Sequence, residues 1–309
     1  MTVDVDVVVV TWRNHRLLER CLECLAAQTV AHTTIVVDNE ADGTTARLIA
    51  DRFPDVRLLE LAENRGFGCA VNAGAQLGDG DAIVLVNDDV EPEPGFLAAI
   101  VEPLADDRVG MVAGLTLFPA SDLVDGFGIE LDVTLAAYNR LRGALPDSPT
   151  GRLAGPSGGA AAYRRVAFEA AEGFDERLFA YGEDVDLALR LRSAGWTASA
   201  AAGARGVHLG GATAGIASRR QRELAGFARG YLLRRYGVLR TRAAPRALAV
   251  EALVVAWGLL AQRTTVPLSS RLRGWRAAAG ARRPIPVDAL ERSITAREAL
   301  RRLVAARTG

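Results

Sequence analysis

Residues 82–89 read Ala82–Ile83–Val84–Leu85–Val86–Asn87–Asp88–Asp89, five apolar residues that run directly into an amide and two carboxylates. The run lacks the polar alternation of a half-exposed strand, so it reads as a strand buried on both faces. The pattern recurs upstream, where Val5–Val10 leads into Thr11 and Thr34–Val37 leads into Asp38. Helix-like stretches lie between these runs. Leu17–Ala27 places Leu18, Leu22 and Leu25 on one face, and Thr44–Arg52 follows the turn residues Asp42 and Gly43. Val56–Leu59 is strand-like, and Gly68–Leu77 is a helix of small residues. Downstream, Pro94–Leu104 reads as a helix with proline near its first turn, and Val109–Leu117 as a strand. Apolar strands alternating with helices specify an α/β chain, with a mostly parallel central sheet flanked by helices. Ligands of such sheets sit beyond the carboxyl ends of the strands. Thr11–Arg13, Asp38–Glu40 and Asn87–Asp89 therefore mark the expected site.

Residues 118–160 are rich in Gly, Pro and Asp and read as irregular. A long structureless stretch inside a compact domain is usually functional. A strand (Gly158–Tyr163), a helix (Arg165–Glu172) and the turn Gly173–Asp175 follow. Another helix runs from near Glu183 to Ala194, with Gly195 placed to end it. Ala198–Val207 returns to strand and leads into His208. Beyond Gly215 the chain reads as helical, punctuated by Pro245, Pro267, Pro284 and Pro286. The expected division is a catalytic domain over 1–215 and an Arg-rich helical region over 216–309.

Half of the 309 residues are apolar, enough for a substantial core. Three cysteines are too few for a disulfide framework, and Cys21–x–x–Cys24 has no second pair to complete a zinc site. The acidic start Met1–Asp6 lacks a basic residue, so no signal peptide is expected there. No run reaches the roughly 18 apolar residues that a membrane-spanning helix requires. A cytoplasmic location is the expectation. The formal net charge of zero hides a split: residues 205–309 carry 21 Arg against 5 Asp or Glu, and residues 1–204 carry 16 against 32. All the basic residues are Arg. A basic tail of this kind points to an anionic partner, nucleic acid or lipid on charge alone, or to a solvated basic face.

Five features could carry chemistry. Adjacent carboxylates at Asp88 and Asp89, on a strand end, suit Mg²⁺ or Mn²⁺, which take oxygen ligands and leave positions for phosphate oxygens; turn formation is the plainer account. Asp38 is placed to accept the imide N–H of a uracil or thymine ring. Arg65, in Asn64–Arg65–Gly66–Phe67–Gly68, could pair with a diphosphate. That segment lacks the third glycine of a dinucleotide fingerprint and does not follow the first strand, which argues against a dehydrogenase. Glu183, Asp184 and Asp186 open a helix. The macrodipole stabilises acids there by roughly 0.3–1 kcal/mol each, yet three acids exceed what a cap needs, so a base for a sugar hydroxyl could be among them. His208 stands alone at a strand end, where a structural role is the commoner one.

Together these segments resemble glycosyltransferase family 2, with the GT-A nucleotide-sugar fold. Val7–Thr11 resembles its opening strand, and Ile35–Asn39 its second-strand motif. Glu63–Phe67 with Asn72–Ala73–Gly74, Leu85–Pro92, Gly158–Ala160, Gly173–Glu176 and Tyr181–Leu187 follow in the family's order, and His208 comes last. The bacterial rhamnosyltransferase-like members of cell-wall and polysaccharide assembly are the nearest in pattern. The resemblance implies that Thr11, Asp38, Arg65 and Asp88 bind the donor, a UDP- or dTDP-linked sugar. It implies Asp89 and His208 as contacts of Mg²⁺ or Mn²⁺, Asp184 as general base and Glu183 beside it for the acceptor. It further implies a single displacement with inversion, onto a glycan or lipid-linked acceptor.

The chain departs from the family pattern in three places. Thr11–Trp12–Arg13–Asn14 replaces the usual aromatic–Asn start, Glu40–Ala41–Asp42–Gly43 lacks a Ser or Thr before Asp–Gly, and Cys69–Ala70–Val71 replaces a Gly/Asn-rich run. None removes a carboxylate. In the tail, apolar Ala247–Ala261 with Trp257, followed by Arg263, Arg271, Arg273 and Arg276, has the makings of an interfacial helix. Peripheral contact with the inner face of the plasma membrane is the expectation, and a helical cap or oligomer contact is its rival. No nucleic acid is expected, because the tail holds no recognisable binding module. A nucleotidyltransferase would need a Gly-rich loop after the first strand, which Thr11–Leu17 lacks. A nucleotide-sugar-binding pseudoenzyme or membrane-associated scaffold is the alternative.

Overall fold

The structure is a computed structural model that describes residues 3–210, 218–299 and 301–302. The first half alternates as its sequence predicts: β1 (Val5–Thr11), α1 (His15–Ala26), β2 (His32–Asn39), α2 (Thr44–Arg52), β3 (Arg57–Leu61), α3 (Phe67–Ala75) and β4 (Ala82–Val86). Then come β5 (Val90–Pro92), α4 (Phe96–Val101), β6 (Val109–Leu117), β7 (Val124–Gly126), β8 (Ile129–Leu131), β9 (Ala137–Asn139) and β10 (Ala160–Arg164). Next are α5 (Arg165–Ala170), α6 (Glu183–Ser193) and β11 (Thr197–His208). Three helices follow: α7 (Arg219–Arg235), α8 (Ala244–Leu260) and α9 (Val266–Ala277).

The main sheet runs β3-β2-β1-β4-β10-β6-β11-β5, with β7 on the side of β6. β3, β2, β1 and β4 are mutually parallel, as are β6 and β11. β10 lies antiparallel between β4 and β6 and joins these two parallel sets. The unalternating apolar runs are explained by burial on both faces. Val5, Val7 and Val9 pack with Val84 and Val86 into one core layer, while Val8, Ile83 and Leu85 pack into the other.

Two local expectations change. The stretch 94–104 holds only a short α4 and a 3₁₀ turn over Glu102–Ala105, because Pro103 has no amide hydrogen to continue an α-helix. Residues 118–160 are partly ordered: β7 pairs with β6, and β8 with β9. Each of these strands is only 3 residues long, too short to show a period.

The tail is helical, as expected. The boundary placed at 215/216 lies outside the described residues. Leu232 and Leu233 of α7, with Tyr236 just after it, share a core with Val185 and Leu189 of α6 and with Ile129 and Leu131 of β8. Helices α7 and α9 cross closely, since a Cβ on Gly230 would fall 2.0 Å from the carbonyl oxygen of Arg271. No described helix is long and apolar enough to cross a membrane.

Candidate active site

The sheet gathers the expected residues at its carboxyl ends. Thr11 stands opposite Asp38 in the β1–β2 register. Its hydroxyl donates to Asp88 Oδ2 at 2.7 Å, tying the end of β1 to the end of β4. Burial pushes the Asp88 carboxyl up to about 7; the Thr11 hydrogen bond opposes that shift and the neighbouring Asp89 charge adds to it. Asp38 is raised by burial too, against a hydrogen bond from Thr45. Its Oδ2 has no hydrogen-bond partner among the described residues. A buried acceptor of this kind is costly unless a ligand donor satisfies it.

Asp89 meets His208 from β11, with Nε2 and Oδ2 3.2 Å apart. The Asp89 carbonyl also accepts from the Leu209 amide at 2.8 Å, which fixes the two chain segments together. The other ring nitrogen, Nδ1, lies 2.6 Å from Asp125 Oδ2. Hydrogen bonding to Asp125 and then to Asp89 pushes His208 up to about 10, so the imidazole holds both ring protons unless a cation shared with Asp89 displaces the one on Nε2. Asp125 is buried and is itself held by Arg142. Sequence reading missed Asp125. It lies on β7, inside the stretch read as irregular, and the functional weight given to that stretch was the one available signal.

Arg65 reaches the site through its backbone. Its amide donates to Asn39 Oδ1 at 2.9 Å, and Asn39 Nδ2 donates to Asn64 Oδ1 at 3.1 Å. The guanidinium is half-exposed and faces Glu176 at 3.6 Å. Gly66 then turns the chain at φ +88°, and a Cβ there would lie 2.3 Å from the Phe179 carbonyl oxygen. That carbonyl accepts from the Phe67 amide at 2.8 Å. The loop from β3 is thereby stitched to the segment that leads into α6.

At the start of α6 the acids divide their tasks. Asp186 is fully buried and structural: Arg190 (2.7 Å), Arg283 (2.6 Å) and the Tyr236 hydroxyl (2.8 Å) all bind its carboxylate. Among the described residues Glu183 and Asp184 have no such cations. Burial pushes Glu183 up to about 8, with the Asp184 charge adding to it, and burial pushes Asp184 up to about 6. Asp184 Oδ1 accepts from the Val185 amide at 2.7 Å. Glu183 Oε2 and the hydroxyl of buried Tyr163 have no hydrogen-bond partner among the described residues. Burial raises the Tyr163 phenol well above its ordinary range, with the Asp184 and Glu183 charges adding to it, so this phenol belongs to the acid pair's surroundings. A strand tyrosine gave no sequence signal.

Two of the departures from the family pattern meet each other. Glu40 accepts from Trp12 Nε1 at 2.5 Å and from Arg13 at 2.7 Å. Arg13 and Glu40 both hold positive φ, 56° and 119°, at the ends of β1 and β2. Strain at two non-glycine residues is retained where surrounding contacts over-determine it, often at ligand sites.

A family model described as Glycosyltransferase like family 2 matches residues 3–228. The chain belongs to this family. The family 2 chain is 34% identical over 226 residues to the N-acetylglucosaminyl-diphospho-decaprenol L-rhamnosyltransferase of Mycobacterium tuberculosis, a match covering 63% of this chain and 73% of that protein. Its fold is shared with a mannosyltransferase from Pyrobaculum calidifontis solved with GDP-Man and Mn²⁺, at a TM-score of 0.55 and 22% identity over 97% of this chain and 79% of the other. It is shared as well with GalNAc-T7, solved with UDP, GalNAc and Mn²⁺, at a TM-score of 0.61 and 13% identity over 89% and 55% of the two chains. The GT-A expectation holds, and this family 2 member is a glycosyltransferase.

The residues present fit a divalent cation shared with substrate. Asp89 and His208 offer one carboxylate and one imidazole. Mg²⁺ and Mn²⁺ accept such a partial set when diphosphate oxygens and water complete it. Among the described residues no three His, Cys, Asp or Glu side chains enclose a cation unaided. The imidazole is aimed by Asp125, and losing such a support typically costs about 10–100-fold in metal affinity. Asp125→Asn is therefore expected to weaken Mn²⁺ binding by that factor in the presence of UDP, read from the free-ion signal in electron paramagnetic resonance. Unchanged affinity would show that His208 needs no such support.

Proposed function

We propose that this protein transfers a hexose, rhamnose being favoured, from a UDP- or dTDP-linked donor to a hydroxyl of a lipid-linked glycan, with inversion. One observation carries the reading: Asp38, Asp88 and the Asp89–His208 pair stand together at the strand ends, while the loop 64–67 ties that edge to the Glu183–Asp184 pair. The decaprenol-linked acceptor and the rhamnose are named for the relative, and they support the same classes here.

In this mechanism Asp38 receives the imide N–H of the base. Thr11 and Asp88 hold the ribose, and Arg65 faces the diphosphate. Asp89 and His208 would hold Mg²⁺ or Mn²⁺, which as a Lewis acid neutralises charge developing on the leaving diphosphate. Asp184 takes the proton from the acceptor hydroxyl as that oxygen attacks the anomeric carbon opposite the leaving group. Glu183, largely protonated at neutral pH, positions the acceptor beside it. A lipid-linked acceptor brings the protein to the inner face of the plasma membrane. Residues 1–215 then carry the chemistry and residues 216–309 the peripheral contact. Trp257, 55% exposed, and Leu260, 82% exposed, support that contact.

Thermal stabilisation by UDP-, dTDP- and GDP-sugars, with and without Mn²⁺ or Mg²⁺, tests the donor reading. One nucleotide is expected to raise the melting temperature, and only together with the metal. No shift with any combination would remove the donor site. A shift without sugar release or transfer would leave the pseudoenzyme.

A further inference from the structure

The tail contains a cavity of about 520 Å³ that the proposed transfer does not use. Leu233, Leu239 and Trp275 form its apolar side, and Arg234, Arg240 and Arg282 its charged side. No carboxylate lines it. Five arginines elsewhere in the tail are paired with carboxylates: Arg229 and Arg271 share Glu251, Arg246 binds Asp132, Arg283 binds Asp186 and Arg302 binds Glu130. Arg234 donates to the Trp275 carbonyl at 2.8 Å and lies 5.8 Å from the centre of its ring. Arg240 and Arg282 are exposed, and neither guanidinium has an ion pair or hydrogen bond among the described residues.

Three arginines lining one cavity with a tryptophan and two leucines, and no acid in that lining, suit an anion attached to something apolar. A few residues along the chain begins α8, whose 17 residues bury only Ala247 and Gly258. Leu248, Leu253, Trp257 and Leu260 of that helix stand exposed. Buried Ala247 of the same helix packs in one core with Leu233, Leu239 and Trp275 of the cavity. Charge separates two candidate occupants. A second copy of this chain would bring two strongly basic tails together, 21 Arg against 5 acids over 205–309 in each, whereas an anionic bilayer attracts them.

We propose that this cavity binds the phosphate headgroup of an anionic membrane lipid while the bare face of α8 enters the interface. The inference rests on the membrane-facing reading above and deepens it.

The test uses the full chain with vesicles of phosphatidylcholine, alone or mixed with phosphatidylglycerol. Sedimentation is expected with the mixed vesicles at low salt and not with phosphatidylcholine alone. The Arg240→Ala/Arg282→Ala double variant is expected to lose about 10- to 30-fold in vesicle affinity, the effect of two arginines leaving an anionic surface. Arg292→Ala/Arg297→Ala removes the same charge from other exposed positions, and a loss under about threefold is expected there. Equal losses in the two variants would overturn the cavity, since diffuse charge would then explain the binding. Stabilisation by inorganic pyrophosphate, lost in the first variant and unaccompanied by vesicle binding, would overturn the lipid in favour of a free phosphate. Donor-induced thermal shifts in the same variants keep the two readings apart: if they persist while vesicle binding is absent in wild type, the transferase stands and this inference falls.

Discussion

Replacing Asp184 by Asn is expected to cut sugar transfer about 10²- to 10⁴-fold while leaving donor-induced stabilisation in place, because a positioned base contributes about that much. The substitution keeps size and hydrogen-bonding reach and removes only the capacity to take a proton. Tyr236, Arg190 and Arg283 hold Asp186 and leave Asp184 alone, so the helix start should survive. Transfer at the wild-type rate would move the base elsewhere. The pH dependence follows from the raised pair. Between about pH 5 and pH 7 the pair loses its first proton, so transfer should rise across that window. Stability runs the other way. Each folded carboxyl keeps its proton where the unfolded chain has lost it, so stability is full below the ordinary carboxyl range. It then falls as pH rises toward about 8. Urea midpoints of wild type should show that decline, and Glu183→Gln should flatten it. A midpoint that climbs over this range would mean that the pair is ionised and compensated.

Asp186→Ala is expected to produce the largest loss of stability, about 3–5 kcal/mol, as for a buried ion pair broken from one side. Arg190 and Arg283 would be left without their carboxylate, and the Tyr236 hydroxyl without its acceptor. That cluster fastens α6 to α7 and to the segment after α9, so the catalytic helix would lose its attachment to the tail. Denaturant unfolding followed by tryptophan fluorescence measures the change. A loss below about 1 kcal/mol would place the strength of this contact in the apolar packing of Val185 and Leu189 against Leu232 and Leu233.

The contrast between Asp184 and Asp186 marks how far the sequence could be read. Strand ends and chain order were legible, because buried runs and their terminal carboxylates lie close together in the chain. The division of labour within one acidic cluster was not. It depends on Arg283, 97 residues further on, reaching Asp186 and not Asp184. Asp125 was hidden for a similar reason: a strand of 3 residues has no period, and its value comes from a histidine 83 positions away. The pairing of Trp12 and Arg13 with Glu40 shows that two odd local texts compensate each other, which only the side-by-side placement of β1 and β2 displays.

The antiparallel insertion of β10 also bears on how the chain acquires its shape. β1 to β4 come together from consecutive segments, so that half can form early during synthesis. The outer edge of β4 is then a bare row of amides and carbonyls on an entirely apolar strand, and its partner arrives only with Ala160–Arg164. Until then the nascent protein exposes a template for pairing with other chains. Closing the sheet spans a long intervening segment, which slows the step. Expression at low temperature or with a holdase present should therefore raise the soluble yield more than any change in the tail.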